Sequence, residues 1–387
     1  VNDFSLQSRL GFTSNSPRWA IAHKFSADSA YTKVLNIEIQ VGRTGALTPV
    51  AKVKPINIGG VVVSNATLHN EDEIKRKDIR IGDVVKIERA GDVIPHVIEV
   101  DLNKRGKSSK IFTFPLRCPS CGSITIKEFN KTTKKYDAVR RCNNDGYECE
   151  RIAIEKIKHF ISKDALNIDG FGKKVVEKFW ALKLIKKPQD IFNLNYKKIK
   201  DLEGWGELSV ENLKKSIEKS KKVSLQKFIY SIGIRHIGIE NAKLISDNTQ
   251  SISNFIKIIK NENLKKFLDI DGIGETQINS MIKFFSNRLN FNILKELSEI
   301  LVIENQKFNK SGVLKNKTFL FTGKLDGLSR AEAKSLIEKN SGVTVSAVSK
   351  NLDYLVFGEK PTKRKIDQAK ILGIKLINQY DLKKLLD

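Results

Sequence analysis

Ile168-Asp169-Gly170-Phe171-Gly172, Leu202-Glu203-Gly204-Trp205-Gly206, Ile234-Arg235-His236-Ile237-Gly238 and Ile270-Asp271-Gly272-Ile273-Gly274 are four versions of one short phrase. The closing glycines lie 34, 32 and 36 residues apart. Each is followed by apolar residues at helical spacing, as in Val175, Phe179 and Leu182 or Ile278, Met281, Ile282 and Phe285. Each unit therefore reads as helix, tight glycine turn, helix. Glycine on both sides of one apolar residue permits a positive φ and leaves no Cβ between the backbone and whatever approaches it. A second helix starts at the same place, so unsatisfied N–H groups and the positive end of a helix dipole converge there. Such a spot binds anions, phosphate above all.

Taken singly, each G-x-G is more simply a helix cap between two antiparallel helices. Four of them in a strongly basic chain point instead to a sequence-independent grip on a nucleic-acid backbone. The candidate residues are Gly170, Gly172, Gly204, Gly206, Gly238, Gly272 and Gly274, with Lys173 and Lys174 adding charge after the first turn. His236 stands where the other units have glycine, which weakens the case for a phosphate contact at the third. A period near 34 also raises tetratricopeptide repeats, but their aromatic, Ala and Pro signature is absent. The units resemble tandem helix-hairpin-helix motifs.

The 387 residues allow two to four domains. Lys and Arg number 69 against 44 Asp and Glu, a formal net charge of +25, and so large an excess favours a polyanionic partner. A membrane surface is the competing polyanion, but no apolar run approaches 18 residues and no basic amphipathic helix stands alone. No secretory signal is present. The sequence opens at Val1 in mid-pattern, which suggests a fragment or processed product.

Four blocks surround the repeats. In residues 17–25 the run Pro17 to Phe25 alternates, so a strand would put bulky Trp19, Ile21, His23 and Phe25 on a core face. Ala20, Ala22 and Lys24 would line a nucleotide pocket on the other, although a solvated strand-end lysine is the simpler reading of Lys24 alone. Residues 32–107 hold alternating strands at Val34–Val41, Gly60–Val63, Val84–Arg89 and Val93–Val100 with a helix at Asn70–Lys77, as expected of a small Greek-key barrel such as an OB-fold. Arg43 and Arg89 sit beside glycine turns and are candidate phosphate contacts, against the simpler reading of solvated turn arginines. Residues 108–150 hold every cysteine: Cys118, Cys121, Cys142 and Cys149. The first pair has metal-knuckle spacing, and four thiolates complete a tetrahedral structural zinc shell. Disulfides are the alternative in an oxidising compartment, and His159 or Glu148 is an alternative fourth ligand.

The helical block spans 151–304, with residues 286–304 expected as continuing helix, and a polar linker follows. Residues 313–387 alternate strand and helix: Lys317–Thr322, a helix from Ser329 to Lys339 capped by Ser329, strands Val343–Val348 and Tyr354–Phe357, a helix Thr362–Leu372, a strand Ile374–Ile377 and a last helix Gln379–Leu386. This four-stranded parallel sheet resembles a BRCT domain. Thr322, Gly323 and Lys365 are a candidate phosphate pocket, with a structural role as the simpler reading. The expected fold is thus multidomain α+β: β-barrel, Cys₄ module, all-α helix-hairpin-helix domain and α/β BRCT-like domain.

The order of these parts resembles the C-terminal portion of a bacterial NAD-dependent DNA ligase. Its most specific residues are Leu10-Gly11-Phe12-Thr13, Pro17 to Phe25, Gln40-Val41-Gly42-Arg43-Thr44-Gly45, Val63 to Asn70 and Arg89-Ala90-Gly91-Asp92-Val93-Ile94-Pro95. The resemblance makes residues 1–31 the end of an adenylation domain and Lys24 a contact to the bound adenylate. It implies sealing of nicks between a 5′-phosphate and a 3′-hydroxyl in replication and repair, with NAD, structural Zn²⁺ and Mg²⁺ or Mn²⁺. The implied partner is nicked double-stranded DNA, encircled by a monomer without regard to sequence. The implied location is the bacterial cytoplasm at the nucleoid, and an N-terminal adenylation half is a further partner if encoded separately. In that family the nucleophilic lysine lies in K-x-D-G. Here the only such run is Lys324-Leu325-Asp326-Gly327, in the BRCT-like block, and it reads as coincidence. This chain is therefore expected to bind nicked duplex without adenylating itself. The rival is a non-enzymatic DNA-repair scaffold, which has no reason to carry residues 1–31 in this form. An excision nuclease subunit also uses paired hairpins, but no acidic cluster for phosphodiester hydrolysis is evident.

Overall fold

The computed structural model describes the chain except residues 13–15, 24–25, 91–93, 131–133, 145, 271, 306–311, 316, 327, 329, 346, 350–351 and 387. A short helix, α1 (Phe4–Leu10), opens it, capped by the Asp3 carboxylate, which accepts from the Leu6 N–H at 2.8 Å. The strand expected over 17–25 is not formed by residues 17–23. Ile21 is 97% exposed and His23 is exposed too, so no core face exists there. A strand buries a face only when a neighbour and a second layer cover it. Among the described residues this segment makes a single bridge, Phe12 to Pro17.

The next elements are β1 (Ser29–Val41), β2 (Leu47–Ile58), β3 (Val61–Thr67), α2 (Glu71–Lys77), β4 (Arg80–Ile81), β5 (Val84–Ala90) and β6 (Ile94–Val100). Five of the strands close into a barrel in the order β1-β2-β3-β6-β5, filled by Val34, Leu47, Val53, Val85, Ile87 and Val97. All its ladders are antiparallel except the single parallel pair of Thr67 with His96. The strand β2 was not among those expected, and it carries two prolines, Pro49 and Pro55, which sit in strands only at edges or irregularities. The barrel accommodates the second by a register shift against β3 between Lys52 and Ile56. Wholly buried Asp83 is matched by Arg105, which donates to both carboxylate oxygens at 3.0 and 2.8 Å.

A short β7 (Lys110–Ile111) pairs with β4, and β8 (Thr125–Asn130) with β9 (Lys135–Cys142) makes an antiparallel ribbon. The ribbon's end abuts the barrel: the Cys142 N–H donates to the Gly45 carbonyl at 2.9 Å. A Cβ on Gly45 would lie 3.1 Å from the Cys142 carbonyl oxygen, and Gly45 has φ +76°. Glycine is required there on both counts. Cys118, Cys142, Cys149 and Ile152 belong to the barrel's own apolar core.

The helical array runs α3 (Glu150–Phe160), α4 (Lys173–Ala181), α5 (Tyr196–Lys200), α6 (Glu207–Ser220), β10 (Lys222–Ser224), α7 (Leu225–Ser231), α8 (Ile239–Thr249), α9 (Ile252–Lys260), α10 (Glu275–Ser286), α11 (Arg288–Ile300) and β11 (Val302–Glu304). One core that includes Phe160, Phe179, Phe228, Phe255 and Leu294 joins all of it. Residues 286–304 are not one continuing helix. Asn287 ends α10 and caps α11 by accepting from the Leu289 N–H at 2.9 Å, and β11 pairs in parallel with β10.

The last block is β12 (Thr318–Thr322), α12 (Arg330–Lys339), β13 (Val343–Thr344), β14 (Tyr354–Phe357), α13 (Lys363–Ile371), β15 (Lys375–Asn378) and α14 (Gln379–Lys384). The sheet is four-stranded and parallel, in the order β13-β12-β14-β15, as expected. The alternation within β12 sends Phe319 and Phe321 to one apolar cluster and Leu320 to the other. β13 is shorter than expected, and Ser329, the expected cap of α12, lies outside the described residues. Two members of the expected Thr322, Gly323 and Lys365 trio serve the local packing. The Thr322 hydroxyl is buried and accepts from the Thr362 N–H at 3.1 Å, and a Cβ on Gly323 would meet the Glu359 carbonyl oxygen at 2.6 Å.

Candidate nucleic-acid interface

All four repeat turns adopt one geometry. The amide of the central apolar residue closes each turn onto the carbonyl three residues back: Phe171 to Ile168 at 3.3 Å, Trp205 to Leu202 at 3.0 Å, Ile237 to Ile234 at 3.2 Å and Ile273 to Ile270 at 3.1 Å. The residue before it is left-handed, with φ +77° at Gly170, +82° at Gly204, +63° at His236 and +93° at Gly272. These are turns whose third position demands positive φ, which explains three glycines and makes His236 a strained exception. The central residues Phe171, Ile237 and Ile273 are buried, and Trp205 packs against the same core. Phe179 carries the rings of both Phe171 and Trp205, each with centroids 5.5 Å away, so the first two hairpins form one unit.

The second glycine of each turn behaves differently. Gly172, Gly206, Gly238 and Gly274 cap α4, α6, α8 and α10 with φ of −71°, −121°, −85° and −114°, extended backbone open to any residue. No atom lies within 4 Å of a Cβ built on Gly172, Gly206 or Gly238, and at Gly274 the nearest is the Gln277 Oε1 at 3.5 Å. Neither strain nor internal crowding therefore accounts for glycine at these four places. The reading that both glycines serve the turn's φ is corrected: the first does, and the second leaves an open surface.

The four sites differ in charge and in what already occupies the cap. The Gly206 N–H donates to Ser209 Oγ at 2.9 Å and the Gly274 N–H to Gln277 Oε1 at 3.2 Å. The caps at Gly172 and Gly238 have no side-chain partner. Lys173 and Lys174 are exposed at the start of α4. By contrast α6 and α10 begin with Glu207 and Glu275, and Glu240 lies in the first turn of α8. Glu207 is paired with Lys200, which holds its carboxyl below the usual range. Lys178 ties the first hairpin to the second turn by donating to the Glu203 carbonyl at 2.8 Å.

The cysteines meet as expected. Their Sγ atoms all lie within 4.8 Å of one another, with Cys118 to Cys149 at 3.9 Å and Cys121 to Cys142 at 3.5 Å. A tetrahedral Zn–S shell spaces its sulfurs about 3.8 Å apart, so the set fits Zn²⁺. It does not fit disulfides, whose sulfurs touch at about 2 Å. Burial raises the Cys142 and Cys149 thiols. Burial also raises Cys121, but hydrogen bonds from Ser123 outweigh it and bring that thiol to about 7. His159 is not a ligand. Its Nε2–H donates to the Tyr230 carbonyl at 2.9 Å, and burial, with Arg43 nearby, lowers it to about 4.

Arg43 faces inward, contrary to the expectation of a phosphate contact: its Nη1 donates to the Gly233 carbonyl at 2.9 Å and desolvation lowers its pKa. Arg89 lies within β5, and Lys24 lies outside the described residues. Lys324 sits in a bridge to Glu359, its N–H donating to the Glu359 carbonyl at 2.8 Å. The sequence reading missed an ion-pair cluster. Glu128 of the ribbon accepts from Arg235 of the third turn and from Lys283 of α10 at 2.8 Å. Asp137 accepts from Arg235 and Arg141, each at 3.3 Å. The signal was in the sequence: the second turn position is acidic at Asp169, Glu203 and Asp271 and basic only at Arg235.

Barrel, thiolate knuckle, four-turn helical array and parallel-sheet module, strung in that order, define a multi-module helix-hairpin-helix protein. Models of known families agree. The NAD-dependent DNA ligase adenylation domain matches residues 1–28, the NAD-dependent DNA ligase OB-fold domain 31–109, the helix-hairpin-helix motif 227–294 and the BRCA1 C Terminus (BRCT) domain 309–385. The chain is 64% identical over 388 residues to a DNA ligase of Pelagibacter ubique, covering 100% of this chain and 57% of that protein. It is 46% identical over 396 residues to a DNA ligase of Rickettsia bellii, covering 98% of this chain and 56% of that protein. A DNA ligase of Sulfurihydrogenibium azorense is 44% identical over 387 residues, covering 100% of this chain and 54% of that protein. The chain belongs to the NAD-dependent DNA ligase family. It spans little more than half the length of these relatives.

Proposed function

We propose that this chain is the duplex-gripping portion of a DNA ligase that uses NAD to seal nicks between a 5′-phosphate and a 3′-hydroxyl. The observation that carries the reading is the second glycine of each hairpin turn. Its missing side chain serves no need inside the chain, so it serves an approach from outside. The approaching group is anionic, because a helix N-terminus faces it at every turn and, at the first, the unpartnered Gly172 cap with Lys173 and Lys174. Repetition of the same surface gives contact with a regular rail of phosphates and no reading of bases.

In this reading Gly170, Gly172, Gly204, Gly206, Gly238, Gly272 and Gly274 present the backbone, and Lys173 and Lys174 add charge at the first turn. Arg89 stays a candidate contact on the barrel. Cys118, Cys121, Cys142 and Cys149 hold a Zn²⁺ that fixes the ribbon. The resemblance assigns Lys24 to the adenylate and implies a divalent cation, Mg²⁺ or Mn²⁺, for the reaction; no described residue is assigned to that cation. A monomer closing around nicked duplex, at the nucleoid, completes the proposal. The domains follow the same plan: adenylation end 1–31, OB-fold 32–107, zinc module 108–150, hairpins 151–304 and BRCT 313–387.

The test is retention of a labelled nicked duplex across a salt series. Binding is expected to be indifferent to base sequence and to fall linearly in log affinity against log salt, with a slope of several units. Absence of binding at low salt, or a slope near zero, refutes the grip. A covalent AMP adduct on Lys324 after incubation with labelled NAD would refute the reading of that K-x-D-G run.

A further inference from the structure

Of the four turns, the third departs from the pattern twice in adjacent residues. Arg235 replaces an acid, and His236 replaces the left-handed glycine. Arg235 faces the ribbon's carboxylates, and burial, with Arg235 and Arg141 nearby, lowers the His236 pKa. Arg235 spans two carboxylates, Nη1 on Glu128 and Nη2 on Asp137, with about a quarter to a third of each of these three side chains exposed. Glu128 also takes Lys283, so one ribbon carboxylate joins the third and fourth hairpins. Asp137 also takes Arg141, whose Nη1 reaches the Thr44 hydroxyl of the barrel turn at 3.2 Å.

Two further contacts sit beside this cluster. Arg43 of the same barrel turn donates to the Gly233 carbonyl, one residue before the third turn. A Cβ on Gly233 would lie 3.2 Å from the His159 ring and 3.3 Å from the Arg43 guanidinium, so the approach is close. An isolated surface ion pair contributes little. This is a network of five charged side chains on β8, β9, α10 and the third turn, joined to a part-buried contact onto the Gly233 backbone, and it ties the third turn to the ribbon.

We propose that the third hairpin is a docking turn: Arg235 is a positioning residue that seats residues 234–237 on the ribbon and so sets the direction of the other turns. The duplex backbone then meets the third hairpin through Gly238 alone, whose cap stays open, a statement that rests on the function proposed above.

The test is a charge swap in the full chain with its metal bound. Arg235→Glu and Glu128→Arg are made singly and together, with Arg235→Gln as a milder variant should a reversal prevent folding. Amide hydrogen exchange over 232–238 and over β8–β9 reads the docking without DNA. Affinity for nicked duplex and its salt slope read the consequence. Each single change, and Arg235→Gln to a smaller degree, is expected to speed exchange in both segments and weaken duplex binding about tenfold, and the double swap to restore part of both, because Asp137 and Lys283 keep their signs. If Arg235→Gln lowers the salt slope by about one and leaves exchange unchanged, Arg235 is a phosphate ligand and the proposal is overturned. It is overturned equally if the swap rescues neither readout, or if no variant moves exchange. Failure of the unsubstituted chain to bind duplex would sink the duplex reading while the exchange result still judged the docking.

Discussion

Replacing Gly172 with Ala separates the grip from the fold. Gly172 caps α4 at φ −71° and ψ 170°, a conformation alanine adopts freely, and the new methyl meets no atom within 4 Å. Alanine is a poorer N-cap than glycine by up to about 1 kcal/mol. The stiffer unfolded chain returns about 0.4–1 kcal/mol. The two nearly cancel, so the melting temperature is expected to stay within a few degrees. At the surface the change is not neutral. A methyl group stands where a phosphate oxygen must come within hydrogen-bond distance of the amide, and losing a bond to a charged acceptor costs about 1.5–3 kcal/mol. That is roughly a ten- to hundredfold loss of affinity. Fluorescence anisotropy with a labelled nicked duplex, run beside thermal denaturation, measures both quantities. Affinity within twofold of the unsubstituted chain, at unchanged melting temperature, would refute the reasoning that the second glycine exists for an external partner. Gly170→Ala is the contrast: at φ +77° it is expected to cost about 1–2 kcal/mol of stability as well.

Phe179→Ala removes the ring on which Phe171 and Trp205 both rest, and is expected to cost about 3–5 kcal/mol in chemical denaturation and to weaken the first two turns together. Stripping metal with a chelator, or Cys142→Ser, is expected to lower the melting temperature and free the ribbon from the barrel turn at Gly45, with one zinc per chain by elemental analysis of the untreated protein. Changing Lys173 and Lys174 to Gln is expected to lower the salt slope by about one each without affecting melting. His159 sets an acid limit. Its folded pKa of about 4 lies below the ordinary 6.5, so its stabilisation is complete above pH 6.5 and lost as pH falls towards 4. The loss is at most about 3 kcal/mol, read from urea midpoints against pH and flattened in His159→Gln.

What could be read from residues alone was whatever short-range chemistry decides. Four repeated turns, a Cys₄ set and the parallel strand-helix alternation each write their signal within a few positions, and the structure has all three. Partners distant in sequence left weaker marks. The strand β2 went unread, and the register shift that lets it hold Pro55 is set by its neighbour β3. Trp19, Ile21 and His23 alternate as a core face should, yet a pattern states only that a residue suits burial and cannot supply the covering layer. Arg43 read as a turn cation and proved to be an internal tie, since its acceptor at Gly233 is 190 residues away. The hairpin glycines stood out as a group, but only backbone angles and neighbour distances divide those that shape the turn from those that clear its surface.

The three-residue pairing of β10 with β11 is small, but it decides where a load enters the molecule. Chain leaving Glu304 departs beside Lys222–Ser224, the joint between the second and third hairpins, and not from the outer rim of the fourth. A pull transmitted through the following segment by the parallel-sheet module therefore bears on the middle of the array. The module is tethered like a weight hung from the centre of a beam, and its pull does not fall first on the last hairpin.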